Sequence, residues 1–204
     1  LQLAGATELQ MGAVAQAQIY LDLALQKAPE LALARRLLIV AYLRSGQPAK
    51  ALAELNAVTG KDGVPPALYT LAGEVHLQNG DAKKAEEYFA KALKLDPDDA
   101  RKRTALAVSH LAGGKADTAI DELQDIASAD TGTTADLQLI SAHLRKKEFA
   151  KALVAIDKLE AKQPDKPMAA NLRGRVLLAQ KDNAGARKSF ERALSIDPNY
   201  FAAA

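Results

Sequence analysis

The sequence has a period of about 34 residues that extends through the whole chain. An Ala in a helix-favouring segment recurs six times, with successive spacings of 34, 34, 34, 33 and 34 residues, at Ala17, Ala51, Ala85, Ala119, Ala152 and Ala186. A fixed period of about 20–50 residues is typical of folds in which each repeat packs only against its neighbours. The period therefore predicts a repeat architecture.

Two amphipathic helices are predicted in each period. A larger apolar residue follows each recurrent Ala by four positions and another apolar residue follows three positions later, which is the spacing of one helix face. A Leu lies eight residues before every recurrent Ala and marks the other helix: Leu9, Leu43, Leu77, Leu111, Leu144 and Leu178. The pattern predicts an all-α chain of twelve helices, each about 12–15 residues long.

The residues between the helices support this division. A turn residue follows each first helix, Gly at Gly12, Gly46, Gly80 and Gly114 and Lys in the last two repeats, at Lys147 and Lys181. Gly is suited to the left-handed conformation that ends a helix. Asp81 and Asp182 are predicted N-caps of second helices. Asp96 and Asp197 each precede a Pro and are predicted N-caps at the start of the following repeat.

The third repeat carries the most specific motif, Tyr69, Gly73, Gly80-Asp81, Ala85, Phe89, Ala92 and Asp96-Pro97. This motif resembles the tetratricopeptide repeat, and the resemblance covers essentially the whole chain. It implies a right-handed superhelical solenoid forming one domain, residues 1–204, with repeats at about 1–30, 31–64, 65–98, 99–131, 132–165 and 166–200. Ile39 and Ile140 depart from the family, which prefers a small residue at that position.

Longer stretches, such as the one from Leu71 to Ala92, are also similar to repeat proteins of bacterial exosortase (PEP-CTERM) systems. That resemblance implies a role in exopolysaccharide export or protein sorting at the cell envelope, and a periplasmic or outer-membrane location; without it a cytoplasmic location is expected. Both ends of the sequence fall within a repeat. The chain is therefore expected to be a fragment of a longer array, with Phe190, Ala193 and Leu194 partly uncovered and with end-to-end self-association.

Composition argues against several classes of function. The formal net charge is only +2, and the short basic clusters at 101–103 and 145–147 have acids nearby, so nucleic-acid binding is not expected. The absence of Cys excludes thiol catalysis and Cys-based zinc sites. No apolar run approaches the roughly 18 residues of a membrane span. Since no nucleophile, base and oxyanion site assemble in the sequence, we expect neither an enzyme nor a cofactor.

His76, His110 and His143 are the only His residues and occupy one register of the repeat. A metal or proton-relay ladder is one interpretation. Helices of adjacent repeats lie roughly 8–10 Å apart, however, which is too far for two such rings to share a zinc ion easily. Because Tyr42 stands in the same register, a packing role is the preferred interpretation, and no metal site is expected.

The resemblance implies that the first helix of each repeat lines a concave groove. The residues so placed combine scattered Arg with apolar and small polar side chains: Arg36, Val40, Arg44, Thr70, Glu74, Gln78, Arg101, Thr104, Val108, Leu137, Ser141, Arg145, Asn171 and Arg175. Such a groove suits a protein or peptide segment with apolar and acidic side chains, because Arg binds carboxylates in bidentate fashion. Arg36, Arg44, Arg145 and Arg175 are the expected electrostatic anchors.

Two alternatives follow from the same residues. The chain could serve as an architectural spacer or self-assembling solenoid without a specific peptide groove. Some proteins with this repeat bind the C-terminal tails of chaperones through a carboxylate clamp, which requires Asn at set inner positions. Val40 and Val108 stand at those positions, and Glu74 would repel a terminal carboxylate, so a receptor of that kind is disfavoured.

Overall fold

The computed structural model describes residues 1–59 and 63–200. Within these residues the chain forms twelve α-helices of 9 to 14 residues. A short 3₁₀ turn, Pro66–Leu68, comes directly before the fifth helix. The helices are α1 (Gln2–Gln10), α2 (Val14–Lys27), α3 (Ala32–Arg44), α4 (Pro48–Val58), α5 (Tyr69–Gln78), α6 (Ala82–Leu95), α7 (Ala100–Ala112), α8 (Ala116–Ala129), α9 (Thr134–Arg145), α10 (Phe149–Lys162), α11 (Met168–Ala179) and α12 (Asn183–Ile196). Two helices per period are thus confirmed.

The helices group into two compact units, unit 1 (Leu1–Asp98) and unit 2 (Asp99–Ala204). The division falls at the predicted boundary between the third and fourth repeats. In unit 1, α1 packs on α2, α3 on α4 and α5 on α6, and each second helix also contacts the next first helix. In unit 2 the pairs are α7 with α8, α9 with α10 and α11 with α12, joined in the same way.

The predicted apolar stripe forms the core of each repeat. Every recurrent Ala has no exposed surface, and the position four residues later is buried in the first five repeats, at Leu21, Leu55, Phe89, Leu123 and Ile156. In the sixth repeat Phe190 and Leu194 are half-buried, as expected. The expectation for Ala193 is wrong, since it has no exposed surface. Ala193 belongs to the stripe of α12 that faces α11, on which Phe190 packs.

The two helices of a repeat are matched in side-chain size at their closest approach. A Cβ added to Gly73 would lie 2.5 Å from the ring of Phe89, and one added to Gly174 would lie 2.5 Å from Phe190. Where the first helix instead carries Ile or Ala, the same register of the second helix carries a smaller side chain, in the pairs Ile39/Leu55, Ala107/Leu123 and Ile140/Ile156. The departures at Ile39 and Ile140 are therefore compensated across the helix pair.

The predicted N-caps are confirmed within the repeats but wrong between them. The carboxylate of Asp81 accepts a hydrogen bond from the Lys84 amide at 3.1 Å, and Asp182 accepts one from Gly185 at 2.9 Å. Asp96 and Asp197 instead follow the last residues of α6 and α12. Because Pro97 lies in the turn and α7 begins only at Ala100, the cap of α7 is Asp99, which accepts bonds from the amides of Arg101 and Lys102 at 2.8 and 3.1 Å.

Replacing Lys147 or Lys181 with Gly is expected to stabilise the protein. The two Lys residues have φ angles of 57° and 66°, in the left-handed region that the Gly residues of the other repeats occupy at Gly12, Gly46, Gly80 and Gly114. A side chain costs about 1–2 kcal/mol there, whereas Gly costs about 0.5–1 kcal/mol in unfolded-state entropy. We expect each variant to raise the free energy of unfolding by about 0.5–1 kcal/mol in urea titrations. Gly80→Lys should lower it; a gain there would contradict the explanation.

Candidate protein-interaction surface

The first helices lie on the inner side of the bend within each unit. In unit 1, α1 contacts α3 and α3 contacts α5; in unit 2, α7 contacts α9. In the described part of the chain, no contacts of similar extent join α2 with α4, α4 with α6, or α8 with α10. Since α1, α3 and α5, and likewise α7 and α9, approach one another more closely than the second helices do, their outer surfaces form the concave side of each unit. We assign α11 to the same side from its register in the repeat.

The inner face of unit 1 carries charges of both signs. Arg36 and Arg44 are exposed on α3, with the half-buried Val40 between them. The Arg44 guanidinium already donates a hydrogen bond to the Leu9 carbonyl at 2.9 Å. On α5, Thr70 is half-buried and Glu74 and Gln78 are exposed.

Glu74 is accessible to solvent and yet closely surrounded by the chain, as a side chain on a concave surface is. This partial desolvation disfavours the charged carboxylate and raises the pKa of Glu74. The unit 1 face is therefore mixed in charge: neither Arg36 nor Arg44 makes an ion pair among the described residues, although Arg44 is held by the Leu9 carbonyl.

The inner face of unit 2 is basic. Arg101, Arg145 and Arg175 are exposed on α7, α9 and α11. Neither Arg145 nor Arg175 has an ion pair or a side-chain hydrogen bond within residues 1–59 and 63–200. Arg101 lies 3.9 Å from Asp99 with 88% of its side chain exposed, so that pair is weak. The single acid in these three helices, Asp136, is buried and bound to Lys162.

Apolar side chains accompany these Arg residues. Val108 and Leu111 of α7 and Leu137 and Leu144 of α9 are half-buried, and the half-buried Ser141 lies among them. On α11, Met168 and Leu178 are 36% and 48% exposed. The face thus offers apolar surface bordered by uncompensated positive charge.

Two of the predicted groove residues are not accessible. Thr104 and Asn171 are 4% and 5% exposed, and the Thr104 hydroxyl donates to the Ala100 carbonyl of its own helix at 2.7 Å. Both side chains are short and buried, whereas the longer Arg side chains reach solvent. We therefore leave Thr104 and Asn171 out of the proposed surface, and the other predicted residues stay in it.

The three His residues, which share one register of the repeat, make contacts with neighbouring side chains. The His76 ring stacks on Tyr88 with a centroid distance of 5.4 Å and an interplanar angle of 9°. The Nδ1 atoms of His110 and His143 lie 2.7 Å from carboxylate oxygens of Glu122 and Glu148. Among the described residues, no cluster of three His, Asp or Glu side chains could hold a metal ion. Each ring has its own partner, as the packing interpretation requires.

Stability is expected to fall in mild acid through His76. Burial, reinforced by repulsion from Lys84, lowers the pKa of His76. As the pH falls through about 6.5, the unfolded chain therefore binds a proton that the folded chain does not, and this difference destabilises the fold. Urea titrations at about pH 7.5 and 5 should show a smaller loss of stability in His76→Phe, which retains a ring against Tyr88. An equal or larger loss in the variant would contradict the assignment.

Ion pairs between helices were not predicted from the sequence. Within the second repeat, Arg35 of α3 lies 2.5 Å from Glu54 of α4; between the fifth and sixth repeats, Arg173 of α11 lies 2.7 and 2.8 Å from Asp157 and Glu160 of α10. These acids raise the pKa of Arg173 against the opposing effect of burial. The charged residues that form these ion pairs do not recur at the same positions in every repeat. The 34-residue period therefore does not predict them.

Comparison with protein families identifies the repeat. Tetratricopeptide-repeat profiles match residues 8–74, 70–132 and 137–201, which together include most of the chain. Proteins of this family bind protein partners, and the family is typically non-catalytic.

Solved structures share the fold. The chain aligns over 99% of its length with 79% of a tetratricopeptide repeat protein from Parabacteroides merdae, at 20% identity and a TM-score of 0.78. It also aligns over 99% of its length with 92% of pilF from Pseudomonas aeruginosa, at 18% identity and a TM-score of 0.64. MamA from Desulfovibrio magneticus is similar over 82% of this chain and 95% of that one, at 21% identity and a TM-score of 0.59.

The predicted fold class, an all-α tetratricopeptide-repeat solenoid, is confirmed by these likenesses. No curated protein matches the chain, and nothing in the comparisons supports the finer resemblance to PEP-CTERM repeat proteins. Within the described residues, no helix combines the length and the apolar character needed to cross a bilayer. The family matches and the helix pairs described above together establish that the chain belongs to the tetratricopeptide-repeat family.

Proposed function

We propose that the chain is a protein-interaction scaffold and that the inner face of unit 2 binds a partner segment rich in acidic and apolar side chains. The observation that carries this proposal is the exposed positive charge of Arg145 and Arg175, which make no ion pair among the described residues, together with Arg101, whose pair with Asp99 is weak. These charges lie beside half-buried Leu and Val side chains. Arg173 of α11, by contrast, is balanced by Asp157 and Glu160.

The chemistry of the three Arg residues favours carboxylates as their targets. A guanidinium donates two parallel hydrogen bonds to one carboxylate, and such charge-assisted bonds are about twice as strong as neutral ones. The apolar side chains between them can bury Leu, Ile or Phe residues of the same segment, at about 25 cal/mol per Å² of apolar area. Electrostatic attraction also speeds the encounter, so binding should weaken as salt increases.

The finer part of the proposal is a place of action. The similarity of the stretch from Leu71 to Ala92 to PEP-CTERM repeat proteins suggests a scaffold in exopolysaccharide export or protein sorting at a bacterial cell envelope. This suggestion rests on the sequence similarity of that stretch, and it is independent of the binding chemistry of unit 2.

Selection from a displayed library of random 15-residue peptides tests the proposal. Peptides recovered on the native chain should be enriched in Asp, Glu and large apolar residues relative to the input library. Peptides recovered on the Arg101→Glu/Arg145→Glu/Arg175→Glu chain should lose the acidic enrichment. Identical recovered compositions from the two chains would favour the alternative, an architectural spacer without a specific groove.

A further inference from the structure

A cavity of about 280 Å³ opens on the surface of unit 2. It lies between α8, α9 and α10, and its walls combine small or apolar side chains with His143 and three flexible polar side chains. The residues that line it are Gln124, Leu139, His143, Ala150, Lys151, Val154, Ala155 and Lys158. We propose that this cavity is a second binding site, which takes an aromatic or similarly compact apolar group that carries a carboxylate.

The size and the walls of the cavity specify the apolar part of the ligand. A cavity of about 150 Å³ is enough to hold benzene, so 280 Å³ leaves room for a ring and a short stem. Leu139 and Ala155 are buried below the cavity at 4% and 5% exposure, whereas Val154 is 56% exposed at its edge. An unfilled apolar opening of this kind gains free energy when it buries a ring.

Lysine ammonium groups specify the charge of the ligand. Lys151 and Lys158 are seven residues apart on α10, which places them on one helix face about 10 Å apart, with Val154 between them. No carboxylate lines the cavity. Lys151 lies 3.3 Å from a Glu148 oxygen, but Lys158 makes no ion pair in the part of the chain that the structure describes. An anionic group at the mouth would receive both ammonium groups and the Gln124 amide.

His143 supplies a polar group inside the cavity. The residue is 4% exposed, and its Nδ1 atom is occupied by Glu148 at 2.7 Å. Among the described residues no protein group binds its Nε2 atom, and no buried side-chain nitrogen or oxygen lacks a partner. The Nε2 atom must therefore reach the open space of the cavity, where it can bind a polar atom of the ligand.

Titration with 3-phenylpropionate tests the site. We expect saturable shifts of the His143 ring resonances, with a dissociation constant of about 1 mM or below, as a ligand of this size allows. The neutral amide 3-phenylpropionamide and the small acid acetate should each bind at least about tenfold more weakly, because each lacks one half of the recognised chemistry. No saturation at about 10 mM, or equal binding of the amide, would overturn the proposal.

Variants separate this site from non-specific attraction. Lys158→Glu should weaken binding of 3-phenylpropionate at least about tenfold, and Ala150→Phe should abolish it by filling the opening. Lys166→Glu makes the same charge change on an exposed loop of unit 2 and should leave binding unchanged. Circular dichroism confirms that each variant is folded. Equal losses in Lys158→Glu and Lys166→Glu would show that only net charge matters, and the site would be rejected.

Two sources can present this chemistry, a free carboxylic acid and the C-terminal Phe of a partner chain. Comparing the affinity of the peptide Gly-Gly-Phe, with a free carboxyl group, with that of 3-phenylpropionate distinguishes the two sources. Tighter binding of the peptide would assign the site to a partner's C-terminus, and tighter binding of the free acid to a small molecule. In either case, amidation of the peptide should remove its binding; retention by the amide would contradict the requirement for a carboxylate.

Discussion

Gly73→Ile is expected to lower the free energy of unfolding by about 3 kcal/mol, with urea unfolding followed by circular dichroism as the measurement. A Cβ at this position would lie 2.5–2.8 Å from three ring atoms of Phe89. Phe89 has no exposed surface, so its ring has no free space to move into. The added side chain can be accommodated only if α5 and α6 move apart.

The second repeat supplies the rescue, because it carries Ile39 where the third carries Gly73 and Leu55 where the third carries Phe89. Phe89→Leu alone should cost about 1–2 kcal/mol, since it leaves a cavity. The double variant Gly73→Ile/Phe89→Leu should recover about 2 kcal/mol relative to Gly73→Ile. Gly174→Ile is the matched control and should cost less, because Phe190 is half-buried and its ring can shift toward solvent. Additive effects in the double variant would contradict size matching between the helices.

Lys162→Met is expected to cost about 3 kcal/mol, because it leaves a buried carboxylate without its cation. Asp136 is 2% exposed and lies 2.7 Å from the Lys162 ammonium group. The same ammonium group donates to the carbonyls of Ala127 and Gly132, at 2.5 and 3.3 Å, and so connects the end of α10 to the last turn of α8 and to the segment between α8 and α9. The measurement is again urea unfolding at neutral pH.

Removing the acid as well should restore part of this loss. Asp136→Ala/Lys162→Met lacks the uncompensated charge and should be more stable than Lys162→Met alone. Lys146→Met is the matched control, because it breaks two solvent-accessible pairs, with Asp117 at 2.6 Å and with Glu148 at 3.6 Å, and should give no resolvable change. A loss in Lys146→Met as large as that in Lys162→Met would mean that burial of the pair is not what matters.

The sequence was sufficient for the features that recur in every repeat. The recurrent Ala residues and their i, i+4, i+7 stripe place the helix pairs because burial depends on periodicity. The turns are marked by Gly12, Gly46, Gly80 and Gly114, because the backbone must adopt the left-handed conformation there. The same requirement explains the positive φ angles of Lys147 and Lys181. The same register places Arg101, Arg145 and Arg175 on first helices, where they are exposed.

Features that depend on particular side chains could not be predicted in this way. Asp96-Pro97 looks like a helix start, but the cap is Asp99, since two Asp residues follow the Pro and only the later one reaches free amides. The burial of Thr104 depends on the neighbouring helices, and the cavity beside His143 depends on three helices and two repeats. Only the Gly73/Phe89 match had a signal, the paired changes sixteen residues apart in the second and fifth repeats, Ile39/Leu55 and Ile140/Ile156.

The most direct test of the central claim is a charge exchange between unit 2 and a segment of fixed sequence. The probe is a fluorescein-labelled peptide that alternates Glu-Glu with Leu-Leu, titrated with the chain in fluorescence anisotropy; a second peptide carries Lys in place of Glu. Arg101→Glu/Arg145→Glu/Arg175→Glu should weaken binding of the acidic peptide about 100-fold and should favour the Lys peptide. Lys166→Glu/Lys181→Glu/Lys188→Glu, which makes the same net charge change at other exposed sites of unit 2, should alter neither affinity more than about threefold. Equal losses in the two triple variants, or no preference of the native chain for the acidic peptide, would contradict a specific binding surface on the first helices.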